Sequence, residues 1–445
     1  VQTQSLEREN QRMAELRAIR NARLRDSEGL FDIELRDGTV EGVTPTVAAG
    51  PGEQPTRGGA GGSPPGGGEA AITAAGGGAP ALRGDTVDAA GMLVTEPFVN
   101  GHLHLDKVYT LARLGSDALR AYHGEGMGGA MTAIELAAAV KDSYDVSWIL
   151  PNVRRAVDRA IHFGNTHIRA FADVDTTGRL EGVKALLQAR EEYRGRCTLE
   201  VVAFPQDGVI RDPGAEGYVR QALEMGADCV GGIPWIELSD DDAREHIDRM
   251  ANLAVEFDRD ISMLVDDAGD PTLRTTEMLA QKTVAIGWQG RVTAQHARAM
   301  ALYPEPTFRR LAGLLKKAKI SVVSDPHTGP LHARVRDLRA AGISVALGQD
   351  DCADAYYPFG RNNMLEVGFL ASHLLWMTSL DDLEEIYDMI TCEAARALGR
   401  ECPPIARGSA ANLVVLSQPS VWEALWEHTA PAFVIREGAV IGGPK

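Results

Sequence analysis

Two histidines separated by one leucine, His102 and His104, stand in "TEPFVNGHLHLDK" (residues 95–107), with Asp106 and Lys107 just beyond them. Side chains at i and i+2 of a strand face the same side. If this apolar run is a strand, both imidazoles point together, and a neutral imidazole is a ligand for divalent cations. The same spacing also suits two hydrogen-bonded core histidines, but a pair at the end of one strand favours a metal. Far along the chain, "ISVALGQDD" ends in Asp350, a carboxylate that would complete the metal shell and double as a base. The chemistry on offer is activation of water, with a side chain to take its proton.

Such residues need a frame that brings distant segments to one place. From residue 98 the chain alternates short apolar runs with helical patterns. The runs are "FVNGHLHLD", "THIRAFADVD", "CTLEVVAFPQDG", "ADCVGGIPWI", "DISMLVDDAG", "RVTAQHARAM", "ISVVSDPHTG" and "ISVALGQDD"; between them lie stretches such as "EGVKALLQAREEY", "DDAREHIDRMANLAVEF" and "PTFRRLAGLLKKA". This alternation implies parallel strands with crossover helices, and eight repeats close most naturally into an α/β (β/α)8 barrel of the TIM type. An open doubly wound sheet is the alternative, but no glycine fingerprint follows the first strand. Polar residues gather at the C-terminal ends of the runs: His102 and His104, Asp173 and Asp175, Gln206, Asp266 and Asp267, His296, Asp325 and His327, Asp350 and Asp351. In a barrel those ends form the face that carries active sites.

The flanks read differently. Residues 5–24 place Leu6, Met13, Leu16 and Ile19 at roughly helical spacing, so residues 1–25 are expected to form an N-terminal helix. "LFDIELRDGTVEGV" alternates around an Asp-Gly turn as a hairpin does, and residues 49–80 form a Gly-rich loop without periodicity. The tail returns to strands in "SAANLVVLS" and "AFVIREGAVIG", which should pair with the early hairpin. The expected domains are a small β-sandwich from 26–94 and 403–445, built from both termini, and a catalytic barrel over 95–402.

Composition bounds the partner. The chain has 445 residues and a formal net charge of −17, which disfavours nucleic acid. No apolar run approaches membrane-spanning length. The five cysteines (Cys197, Cys229, Cys352, Cys392, Cys402) are scattered and indicate neither a disulfide framework nor a zinc finger. The expectation is a cytoplasmic protein acting on a small molecule, with no nucleic acid or membrane partner, and assembled as a homo-oligomer, a dimer or tetramer.

Several motifs together resemble the amidohydrolase superfamily, in the branch of cytosine deaminase and N-isopropylammelide amidohydrolase. They are "FVNGHLHLDK", "HIRAFADVD", "VVAFPQDG", "QKTVAIGWQGRVTAQHARAM" and "GISVALGQDDCADAYYPFGRNNML". The resemblance implies a hydrolase with one divalent ion (Zn, Co, Mn or Fe) held by His102, His104 and Asp350. Asp350 would also be the general base, His296 would orient the water, and Gln206 would hydrogen-bond the substrate. The sequence departs from the branch at "SMLVDDAG": Leu264 replaces the family's strand-five histidine ligand, and Asp267 stands where a deaminase carries its glutamate proton shuttle. Tyr356 occupies the place of the aromatic that covers the base.

His296, His327 or Asp266 would repair the lost ligand, with His296 ranked first. Arg169 either faces substrate or forms a barrel salt bridge with Asp173 or Asp175, and Lys107 is expected to pair with Asp106. His123, His162, His167, His246, His332, His373 and His428 receive no role. The departures favour hydrolysis of a small amide, carbamate or thiocarbamate of the molinate type. The alternatives are a cytosine- or triazine-type deaminase or N-dealkylase, and a barrel that has lost catalysis and only binds.

Overall fold

The computed structural model describes residues 15–46, 78–114, 119–120, 134–135 and 137–443. Each of the eight apolar runs forms a strand of one parallel sheet: β7 (Phe98–His104), β8 (Asn165–Asp173), β9 (Thr198–Phe204), β10 (Cys229–Gly232), β11 (Asp260–Val265), β12 (Val292–His296), β13 (Ser321–Ser324) and β14 (Val345–Leu347). They pair in sequence order, and a parallel bridge between Leu103 and Asp350 joins the last segment to the first. The bonds Asp350 N–H to His102 O and His104 N–H to Asp350 O, both 2.9 Å, make that closure. The (β/α)8 expectation holds, and the closure itself places Asp350 beside the histidine pair.

The expected crossover helices form as well. They include α1 (Val146–His162), α2 (Glu181–Glu192), α3 (Ala215–Glu224), α4 (Asp240–Glu256), α5 (Thr275–Ile286) and α6 (Glu305–Ala318). Ser239 caps α4 by accepting from Asp242 N–H, and Asp240, Asp241 and Asp242 fill its first turn, where carboxylates meet the positive end of the helix dipole. The apolar faces of these helices join the strands in the largest hydrophobic cluster of the chain.

Two sheets flank the barrel. One has the order β3-β2-β1-β5-β4, from β1 (Ala18–Ala22), the hairpin β2 (Phe31–Arg36) and β3 (Thr39–Pro45), β4 (Ala81–Arg83) and β5 (Thr86–Asp88). The other has the order β17-β16-β15-β6, from β6 (Val94–Thr95), β15 (Leu413–Val415), β16 (Phe433–Arg436) and β17 (Ala439–Gly442). Ile19, Ile33 and Val87 from the first share a core with Val94, Leu413, Val415 and Ile435 from the second, so both chain ends build one flanking unit.

Three expectations are corrected. Residues 18–22 are a strand rather than the end of a helix, because Leu16 and Ile19 are buried between the sheets and β1 pairs with both β2 and β5; residues 1–14 lie outside the described residues, as does most of the Gly-rich segment. The tail strands pair with one another and with β6, and touch the early hairpin through the bridge Thr39 to Ala410. Cys392 and Cys402 form a disulfide, with Cα atoms 5.2 Å apart, because the chain doubles back after the helix that Cys392 begins. Among the described residues no helix is long and apolar enough to cross a membrane.

Candidate active site

At the C-terminal ends of the strands, four side chains from three strand ends converge. His102 and His104 share one face of β7, and their Nε2 atoms are 3.3 Å apart. Oδ1 of Asp350 lies 3.3 Å from His102 Nε2, 3.9 Å from His104 Nε2 and 3.7 Å from His296 Nε2. All four residues are buried. Donor atoms spaced this way surround a cation bonded at about 2.0–2.2 Å, the range for zinc with imidazole and carboxylate ligands. Among the described residues, ligand atoms of His102, His296 and Asp350 lie within 4.8 Å of one another, as do those of His104, Asp350 and Asp351, so the donor set suits a divalent cation.

The electrostatics agree. Burial opposes ionisation of Asp350, but His296, His102 and Arg298 outweigh it and hold its carboxyl well below the usual range. Burial, reinforced by Lys107 and His102, drives His104 well below its ordinary value, which keeps the imidazole neutral with a lone pair to share. Burial alone would lower His296 too, yet Asp267 and Asp350 raise it, marking a place where positive charge is welcome. Asp325 Oδ2 is 3.1 Å from His296 Nδ1. Arg298 Nη2 is 3.3 Å from the same nitrogen, while Nε2 faces Asp350 Oδ1.

The backbone is bent to achieve this. Asp266 (φ 48), His296 (φ 64), Ala297 (φ 49) and Asp350 (φ 65) all adopt the left-handed region that non-glycine residues rarely occupy. Bonds from Ala297 N–H to Val265 O and Ala299 N–H to Asp266 O hold the first three in place. Clustering of such residues at the strand ends is a mark of a functional site.

Of the three residues weighed for the missing ligand, the structure brings His296 to the cluster and not the others. Asp266 turns away to accept from Thr275 N–H (2.6 Å), Thr276 N–H and Tyr303 O–H (2.8 Å) at the start of α5. His327 Nε2 sits 3.2 Å from Gln349 O.

The adjoining cavity is lined by the polar side chains of His104, Gln206, Asp267, His296, Arg298, Asp350 and Asp351, and by Ile134, Ile233, Trp235, Leu264 and Tyr356, which belong to one hydrophobic cluster. Gln206 Oε1 accepts from Lys107 Nζ at 2.7 Å. Because ammonium only donates, this bond settles which end of the amide faces Lys107. Lys107 also binds Asp173 at 2.9 Å, where pairing with Asp106 was expected; Asp106 instead accepts from Asp173 N–H and Tyr144 O–H.

Arg169 is not in the cavity. It is buried within the barrel, binding Glu200 (2.9 Å), Thr293 Oγ1 (3.0 Å) and Leu398 O (3.3 Å). The salt-bridge alternative is the one realised, with Glu200 as partner in place of Asp173 or Asp175, because Arg169 and Glu200 are in register on adjacent strands.

Sequence reasoning missed Arg298. Two residues past His296, it is buried, binds Asp350 Oδ2 (3.2 Å) and Thr328 Oγ1 (2.7 Å), and lies 3.4 Å from Asp267. Its signal was its place in "QHARAM", just beyond a strand end. Asp351 was noted only as a strand-end acid; burial, Asp350 and Asp354 raise it well above the usual carboxylate range. Trp235 and Ile233 follow β10, and nothing in their types announced a pocket wall.

A (β/α)8 barrel with a histidine–aspartate cluster at the C-terminal ends of its strands defines a hydrolase-type site of the kind that activates water. The chain belongs to the Amidohydrolase family, whose model matches residues 85–431. It is an enzyme of that family. It is 31% identical over 366 residues to the N-isopropylammelide isopropyl amidohydrolase of Pseudomonas sp. (strain ADP), covering 80% of this chain and 88% of that one. A pterin deaminase of Rhizobium rhizogenes is 26% identical over 369 residues, covering 78% and 80%. Among solved structures, 5-methylcytosine deaminase from Klebsiella pneumoniae liganded with 5-fluorocytosine superposes with a TM-score of 0.81 at 30% identity, covering 96% of this chain and 98% of that one.

Proposed function

We propose that this enzyme hydrolyses a small, neutral amide, carbamate or thiocarbamate bearing an N-alkyl substituent, using one divalent cation held by His102, His104, His296 and Asp350. The observation that carries this reading is the lining of the cavity, where imidazoles, carboxylates and Arg298 meet one hydrophobic cluster of Ile134, Ile233, Trp235, Leu264 and Tyr356. That cluster offers an alkyl group apolar contact, with the buried Trp235 Nε1–H beside it as a polar handle.

A Zn, Co, Mn or Fe ion bound there would lower the pKa of a water and polarise the scissile carbonyl. Asp350 takes the proton that water releases as it adds to the carbonyl carbon. Its Oδ2 is fixed by Arg298 and Thr328, so Oδ1 is the oxygen turned to the reaction. Arg298 and the amide of Gln206 donate to the developing oxyanion. The proton that Asp350 took passes by way of Asp267, the other carboxylate facing Arg298, to the departing nitrogen or sulfur as its bond to the carbonyl carbon breaks.

A second reading, deamination or N-dealkylation of a pyrimidine or triazine ring, has the support of the relatives' names. One experiment separates them. Metal-loaded enzyme is incubated with an S-alkyl thiocarbamate, an N-alkyl amide, an N-isopropylamino triazine and 5-methylcytosine, and the products are assayed. Release of amine from the N-alkyl amide, or of thiol from the thiocarbamate, supports the first reading. Ammonia from 5-methylcytosine or alkyl amine from the triazine, without turnover of the amide and thiocarbamate, would replace it with the second.

A further inference from the structure

Behind the cavity, and lining none of it, lies a buried acid–imidazole pair for which neither the sequence nor the proposed chemistry accounts. Glu237 follows the 3₁₀ turn Pro234–Ile236, and its side chain has no exposed surface. Its Oε1 accepts from Val209 N–H (2.7 Å) and Ile210 N–H (3.1 Å), and Oε2 from Arg211 N–H (3.0 Å). Oε1 is also 2.7 Å from Nδ1 of His246, a fully buried residue of α4. The other ring nitrogen, Nε2, accepts from Ile233 N–H at 3.2 Å. These bonds settle the tautomer: Nδ1 carries the proton and Nε2 the lone pair.

We propose that Glu237 and His246 form a positioning pair that locks the two cavity walls, the Gln206 loop and the Ile233–Trp235 turn, in one relative arrangement and thereby sets the size of substituent the site accepts. The statement about substituents rests on the hydrolase reading above, whereas the positioning itself does not. Three segments meet at the pair. Residues 206–211 carry Gln206 into the cavity, residues 233–235 carry Ile233 and Trp235, and α4 supplies the histidine. No direct contact is required between the walls, since the carboxylate holds one and, through the imidazole, the other.

The glycines on either side fit this design. Gly208 has φ +92, and a Cβ there would lie 2.9 Å from Glu237 Oε1. A Cβ on Gly232 would lie 3.0 Å from His246 Nε2. Both segments approach the pair as closely as a chain without a side chain allows. A buried carboxylate with this many donors is held in one orientation, because any rotation strands backbone N–H groups in the interior.

The test uses the full-length enzyme, metal-loaded, as wild type, Glu237→Ala, Glu237→Gln and His246→Ala. Hydrogen exchange is read at the amides of 209–211 and 233. The proposal expects protection at 209–211 and 233 to fall about tenfold or more in Glu237→Ala, and at 233 in His246→Ala. Strands β11 and β12 should keep theirs, and Glu237→Gln, with one acceptor oxygen retained, should recover part of the loss. Unchanged amides, or exchange that rises evenly over the barrel, would overturn it. The kinetic arm compares methyl with isopropyl members of an N-alkyl amide and thiocarbamate series. The ratio of kcat/KM between them should collapse by about tenfold or more through KM, with kcat and metal content little changed. If the wild type turns over no member of the series, the hydrolase reading fails, and the exchange data alone decide the pair.

Discussion

Arg298 Nη2 lies 3.2 Å from Asp350 Oδ2, while Asp350 Oδ1 faces the Nε2 atoms of His102, His104 and His296 within 3.9 Å. One carboxylate is thus divided between a cation of the protein and a site for a cation from solution. Thr328 Oγ1, 2.6 Å from Oδ2, completes the division. The two oxygens cannot exchange roles without breaking both bonds.

Removing a ligand should therefore remove the metal. His104→Ala, His296→Ala and Asp350→Asn are each expected to purify without stoichiometric cation, where the wild type carries about one per chain by elemental analysis. Retention of full occupancy in His296→Ala would exclude that residue from the ligand set.

Asp325 should matter without touching the cation. Its carboxylate stands 3.1 Å from His296 Nδ1, on the side of the ring away from Nε2, which faces Asp350. Asp325→Ala is expected to weaken metal affinity by about 10–100-fold, measured by chelator competition, with the fold intact by circular dichroism.

Arg298→Lys should fail to replace arginine. A single ammonium cannot hold Asp350 Oδ2 and Thr328 while approaching Asp267, as the guanidinium fork does. Activity on the best substrate is expected to drop about 10²–10³-fold, the cost typical of a lost oxyanion donor, and Arg298→Met to drop at least as far.

Arg169→Met separates stability from catalysis. Glu200 would lose its buried partner, although Arg400 still binds it at 2.8 Å. The change should destabilise toward the low end of about 3–5 kcal/mol by denaturant titration, with metal content and KM unchanged.

Acid should loosen the walls of the cavity before the barrel unfolds. Burial pushes Glu237 up, but His246 and the amides of Val209 and Ile210 outweigh it and lower it; burial lowers His246 despite Glu237. The unfolded histidine gains its proton near pH 6.5 while the folded one stays neutral, so stability falls as pH drops below that value. Glu237 acts in the same direction, its contribution present above about pH 4.5 and lost as pH falls through its lower folded value. Exchange at 209–211 should accelerate between about pH 6.5 and 4, beyond the intrinsic pH effect, and His246→Ala should blunt the response. An identical pH profile in that variant would count against this assignment.

Much of the barrel was legible because each strand carries its own signal. A parallel strand covered on both faces is largely apolar, as Val201–Phe204 of β9 is, and its polar residues gather at the open end, with buried pairs such as Arg169 and Glu200 as exceptions. That rule pointed to the strand-end polar residues, His102, His104, Gln206, His296 and Asp350 among them, and the family resemblance singled these five out and alone lifted Gln206 above a loop glutamine. The flanks were less legible. Leu16 and Ile19 fit helical spacing as well as a strand, and only the neighbours β2 and β5 decide which holds.

What the sequence by itself determined is the inventory and its periodicity: eight strand–helix units, the i, i+2 histidine pair, and a carboxylate after the last strand. What the tertiary structure decided is which polar groups meet. Arg169 and Arg298 are both buried arginines on or beside a strand. Register with Glu200 takes the first into the barrel, and a left-handed turn at His296 and Ala297 carries the second to Asp350. The disulfide, the turning away of Asp266 and the Glu237–His246 pair are of the same kind. Each depends on a distance between residues that are remote in sequence or on opposite sides of a turn, and such distances are fixed only when the strands close and the helices pack.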